Sequence, residues 1–104
     1  MEYNKLVRDN IPDIIRKEGY IPKTEILTDK RFLSELDKKL SEEVGEYQES
    51  KELEELADIL EVIYAICSAR GYTLDELMRV KDEKQLKRGG FSKKLFLISK
   101  SKNE

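Results

Sequence analysis

Residues 41–60, SEEVGEYQESKELEELADIL, interleave eight acidic side chains with a regular beat of Leu, Val, Ile and Ala. The apolar residues recur three and four positions apart, the spacing of one helix face, so the stretch reads as helix on both sides of Ser50. Two helices joined with almost no linker fold back on each other, which puts a helical hairpin at the centre of the molecule. The expected fold class is all-α: an antiparallel helical bundle around that hairpin, with a short first helix and an extended C-terminal tail.

Working outward, caps and breakers place the other elements. Residues 1–9 read as an irregular arm, and Asp9-Asn10-Ile11-Pro12 opens a short helix with Pro in its first turn, running to about Glu18 and stopping at Gly19. YIPKTEILT, residues 20–28, reads as extended. Thr28 or Asp29 then caps a helix to about Glu49, and Ser50 caps the next, Lys51 to Arg70, which ends at Gly71. Thr73 followed by Glu76 makes a capping box for a fourth helix to about Lys87. Gly89-Gly90 breaks it, and FSKKLFLISK, residues 91–100, follows as an extended or strand-like segment.

The 104 residues are expected to form one domain, residues 1–104, with a single modest core. Lys and Arg number 20 against 22 Asp and Glu, so there is no broad basic field and a nucleic-acid partner is not expected. No apolar run approaches the roughly 18 residues that span a bilayer, and the first residues lack the apolar core of a secretory signal, so the expected location is cytoplasmic, without a membrane. One cysteine excludes an intramolecular disulfide, and the absence of histidine excludes the usual zinc sites and every histidine-based triad. Chemistry is left to carboxylates, Lys, Arg, Tyr or a hard cation.

A helix turns about 100° per residue, so each side chain's direction can be compared with the apolar arc. With Phe32 at zero, Leu36, Tyr47, Leu40, Leu33 and Val44 fall between about 40° and 120°; Glu43 lands inside that stripe near 20° and Glu46 at its margin near 320°. With Glu55 at zero on the next helix, aliphatic residues from Val62 to Leu53 flank it on both sides, and Asp58 sits near 300°. Each helix therefore carries one acid inside its buried face and a second three residues later at the edge. Folding the pair about Ser50 sets Glu46, Glu55, Glu43 and Asp58 about 6, 7.5, 10.5 and 12 Å from the turn, all at one level. Four carboxylates against an apolar wall repel one another and lose hydration unless a cation neutralises them. Oxygen-only ligands favour Mg²⁺ or Mn²⁺ over zinc. Glu42, Glu49, Glu52, Glu54 and Glu61 point away from the core and read as solvated faces. Lys39, one turn before Glu43, is the rival to a metal: it can neutralise that acid as an i, i+4 pair.

At these residues the chain resembles the MazG-like family of all-α nucleoside triphosphate pyrophosphohydrolases, whose signature is E-E-x-x-E followed further on by E-x-x-D. Here these are Glu42-Glu43-Val44-Gly45-Glu46 and Glu55-Leu56-Ala57-Asp58. KLVRDNIP at 5–12 and KRGGF at 87–91 also resemble a compact subgroup related to phosphoribosyl-ATP pyrophosphohydrolase. Only eight residues separate the two acidic motifs, shorter than usual for the family, which implies a tight turn and little loop with which to select a base. The resemblance implies that Glu43, Glu46, Glu55 and Asp58 are Mg²⁺ ligands, with Glu42 the weaker claimant, and that the reaction is hydrolysis between the α and β phosphates of a nucleotide. Glu43 or Glu46 would be the catalytic base. It also implies a homo-oligomer, dimer or tetramer, with sites near subunit interfaces.

Phosphate also calls for cations, and the candidates are Lys5 and Arg8 on one side and Lys84, Lys87 and Arg88, with Lys81, Lys93 and Lys94, on the other. A helix end favourable to the macrodipole explains the second group equally well. Gly89-Gly90 reads as a helix stop, Tyr47 and Tyr64 as core, and Cys67 as a buried, inert thiol. The functional expectation is a Mg²⁺-dependent pyrophosphohydrolase acting on a nucleoside triphosphate or related nucleotide. The alternatives are a phosphoribosyl-ATP pyrophosphohydrolase or a non-catalytic helical interaction module that binds a structural cation.

Overall fold

Four helices and no strand make up the described residues, 2–103, of the computed structural model. They are α1 (Ile11–Lys17), α2 (Asp29–Ser50), α3 (Leu53–Ala69) and α4 (Leu74–Arg88). The all-α class expected from the periodicity is thus what the chain adopts.

Local chemistry accounts for most boundaries. Helix α1 starts with Pro12 in its first turn, where a missing N–H costs nothing. It ends with Gly19 at φ 93°, whose N–H donates to the Arg16 carbonyl while that of Tyr20 donates to Ile15. Thr28 caps α2: its hydroxyl accepts from the Arg31 N–H at 3.3 Å. The same glycine closure ends α3, where Gly71 has φ 84° and Tyr72 donates to the Cys67 carbonyl at 2.8 Å. Helix α4 begins one residue past Thr73 and stops at Gly89, φ 83°, whose N–H is spent on the Gln85 carbonyl at 2.7 Å.

The hairpin turn differs from expectation. Ser50 does not open α3; it is the last residue of α2, and its hydroxyl accepts the Glu52 N–H at 3.2 Å. Reversal is made by Lys51, left-handed at φ 60°, with Glu52 extended, so α3 starts at Leu53 rather than Lys51. Two antiparallel rods need a sharp bend between them, and a helical hydroxyl cannot supply it. Lys51 accepts the strained backbone while its ammonium lies 5.5 Å from the Tyr47 ring centroid.

Chain contacts divide the described residues into two units, one ending at Leu74 and the other beginning at Asp75. In the first, α2 packs on α3, and Leu36, Val62 and Cys67 are buried between them. Tyr47 and Tyr64 are half-buried, and Cys67 is a free, buried thiol. The second unit holds most of α4 and the residues after it. Residues 91–93 form a turn closed by the Lys94 N–H on the Phe91 carbonyl, and 95–103 carry no regular structure. No strand forms there among the described residues, since an isolated extended segment has no neighbour for its ladder.

Candidate metal centre

Helix α2 supplies Glu43 and Glu46, and α3 supplies Glu55 and Asp58, each pair three residues apart and so on one helix face. The short turn at Lys51-Glu52 brings the two faces to the same level. One carboxylate oxygen from each of the four lies within 4.8 Å of the others. Glu43 is 7% exposed, Glu55 and Asp58 are half-buried and Glu46 is exposed, so the group runs from a dry floor to a wet rim.

Glu43 is the decisive member. The amphipathic stripe that buries Leu36 carries it inward with no choice of direction. Its Oε1 meets Lys39 Nζ at 3.3 Å, whereas Oε2 is buried without a hydrogen-bond partner. Burial pushes the carboxyl above its ordinary value; Lys39 works against this, and Glu46, which can pair with Glu43 only if one of them holds a proton, adds to the rise. A buried carboxylate oxygen with no donor is costly, and a cation held among the four carboxylates removes the cost. The donor set is all carboxylate, with no nitrogen or sulfur, and fits Mg²⁺ or Mn²⁺.

Cations surround the group. Lys39 also reaches Glu42 Oε2 at 3.5 Å, so the expected rival to a metal is present, although it leaves Glu43 Oε2 unserved. The irregular arm ahead of α1 brings two more: Arg8 donates to Asp58 Oδ1 at 2.7 Å and Lys5 to Glu42 Oε1 at 3.4 Å. Glu42 is therefore held by two lysines and lies outside the four-carboxylate group. The pairing of Arg8 with Asp58 across 50 residues had no sequence signal, because the arm has no periodicity to place it.

Comparison with known proteins leaves the reading to this geometry. No protein-family model and no solved structure matches the chain. An uncharacterized protein of Mycolicibacterium smegmatis is 48% identical over 42 residues, which cover 40% of this chain and 43% of that protein. The similarity thus spans less than half of that relative, whose description names no activity.

Lys84, Lys87 and Arg88 are exposed on the second half of α4, with Lys87 and Arg88 in its last turn, where positive charge complements the carbonyl end of the helix. Lys81 pairs with Asp82 at 3.4 Å. Glu49, Glu54 and Glu61 are exposed, as their directions on the helices require, and Glu52 is exposed in the turn.

Proposed function

We propose that the chain is a Mg²⁺-dependent nucleotide pyrophosphohydrolase that cleaves a nucleoside triphosphate, or a related nucleotide, between its α and β phosphates to give a monophosphate and pyrophosphate. The observation that carries the reading is the orphaned Glu43 Oε2 in a group of four carboxylates contributed by two helices. Glu43, Glu46, Glu55 and Asp58 would hold the ion. When bound, Mg²⁺ supplies charge shielding for the phosphates and makes a bound water more acidic.

The chain's own groups divide the remaining work. Glu46, on the exposed rim, or Glu43, whose proton affinity burial raises, accepts a proton from the attacking water. Lys5 and Arg8 stand beside the carboxylates and can bind phosphate oxygens. The substrate approaches from the Glu46 side, since Glu43 is walled in. We assign the active form to a homo-oligomer, dimer or tetramer, because leucines of α3 remain open: Leu53 is 80% and Leu60 43% exposed.

The test is incubation with a panel of nucleoside triphosphates and Mg²⁺, with pyrophosphate and single phosphate measured separately. Pyrophosphate is expected, and Glu55→Gln and Asp58→Asn should each lower kcat/KM by at least about 100-fold. Phosphoribosyl-ATP is assayed beside the panel as the alternative substrate. A second reading, an ion-pair network with no catalysis, draws on the Lys39 and Arg8 contacts. It predicts no turnover of any nucleotide and no Mg²⁺ effect on melting.

A further inference from the structure

Arg8 occupies the same carboxylate that a cation would use. Its guanidinium donates to Asp58 Oδ1 at 2.7 Å, and Asp58 supplies an oxygen to the four-carboxylate group. The segment is held at both ends of this contact. On the α1 side, the Ile11 N–H donates to the Arg8 carbonyl at 3.1 Å; on the other, Lys5 pairs with Glu42, and the half-buried Leu6 lies between them in sequence. Asn4, left-handed at φ 45°, bends the chain just before Lys5, a conformation that Asn adopts more readily than most residues. The arm is thus a strap anchored to the hairpin by two ion pairs to acids at the group's border.

We infer that this strap is an exchangeable counter-ion: Arg8 neutralises Asp58 while the carboxylates hold no divalent ion, yields Asp58 when one binds, and then offers its guanidinium to the phosphates of the incoming nucleotide. The inference rests on the metal reading above and adds an order of events to it. The physical basis is competition for one oxygen pair. A guanidinium and a dication on the same carboxylate repel each other, and the dication, with twice the charge, draws Asp58 more strongly. Arg8 side chain is 56% exposed, so its swing requires no repacking of a core. A phosphate offers the freed guanidinium two parallel hydrogen bonds, which Asp58 in this geometry does not, since only one contact is made. Orphaned Glu43 Oε2 explains why the strap is not sufficient by itself: Arg8 reaches the border of the group and leaves its floor unserved.

The experiment uses the full chain and Mn²⁺ alone as probe, followed by titration calorimetry and by hydrogen exchange of residues 2–10. In the wild type, Mn²⁺ should accelerate exchange in the strap, and a non-hydrolysable triphosphate added afterwards should slow it again. Arg8→Gln should bind Mn²⁺ about two- to fivefold more tightly, the scale of a partly exposed ion pair, and its strap should exchange fast with or without the ion. Unchanged Mn²⁺ affinity in Arg8→Gln together with a strap indifferent to Mn²⁺ would overturn the inference and leave the metal site standing. Failure of the wild type to bind Mn²⁺ at all would overturn both. Should Arg8→Gln fail to fold, the wild-type exchange data, with and without Mn²⁺, decide alone.

Discussion

Glu43 concentrates the conflict between folding and function in one side chain. The stripe that buries Leu36 also buries Glu43, and only one of its two oxygens finds a donor. Burial makes the folded-state carboxyl a weaker acid, its pKa raised above the ordinary value, so the carboxyl favours folding when protonated; that contribution is complete below the unfolded value and is lost as pH climbs through the raised one. Replacing it with Gln removes the charge but keeps the shape. In chelator, Glu43→Gln should therefore melt higher than the wild type by roughly 1 kcal/mol, about 4–8 °C, with the gap widening as pH rises above the ordinary carboxyl range. In Mg²⁺ the order should reverse, because a ligand that binds only the folded state stabilises the wild type and has lost a donor in the variant. Parallel melting curves with and without Mg²⁺ check both halves. A variant that is less stable in chelator would show that the Lys39 pair already satisfies the site.

At the scale of the element, the hairpin was legible because every signal that defines it is local. Periodicity gave the faces of α2 and α3, and the level match of Glu43, Glu46, Glu55 and Asp58 follows from helical rise and a short turn, which is why the computed directions and the observed group coincide. The turn departs from a Ser50 cap, since a Ser-Lys-Glu run carries no glycine to announce a left-handed residue and Lys51 takes that role against its propensity. Strap contacts such as Arg8 with Asp58 were invisible for the opposite reason: they depend on tertiary approach over 50 residues, which no local pattern encodes. Two glycines test this division between local and non-local causes. Gly45 lies inside α2, and a Cβ added there meets nothing within 4 Å. Gly45→Ala should stabilise the chain by about 0.5–1 kcal/mol through helix propensity. Gly71 also has open space around it, but φ is 84°, so Gly71→Ala should cost about 1–2 kcal/mol from backbone strain alone. Urea unfolding of the two variants should give shifts of opposite sign. If Gly45→Ala instead weakens catalysis or assembly, the space beside it is reserved for a ligand or a second chain.

For the molecule as a whole, the question is what covers its apolar surface. Among the described residues Leu36, Val62 and Cys67 are the buried hydrophobic side chains, whereas Leu53, Leu56 and Leu60 on α3 are 80%, 45% and 43% exposed. Apolar residues occupy about half the circumference of α3, more than its contact with α2 can bury. The homo-oligomer proposed above would supply the missing cover, and Leu53 gives a clean test of it. It is the first residue of α3, a position where a negative charge interacts well with the helix dipole, and it lies in the arc opposite Glu55. In an isolated chain Leu53→Glu should be neutral or mildly stabilising, within about 0.5 kcal/mol. In an oligomer that buries Leu53, the same change places an unpaired carboxylate in an apolar interface and should dissociate it. Light scattering should then show the wild type at a multiple of the chain mass and Leu53→Glu at a single chain. The melting temperature of the wild type should rise with protein concentration and that of the variant should not. A wild type that scatters as one chain, with Leu53→Glu as stable as its parent, would show that α3 keeps these leucines in water and that the hairpin's acid group is complete within one subunit.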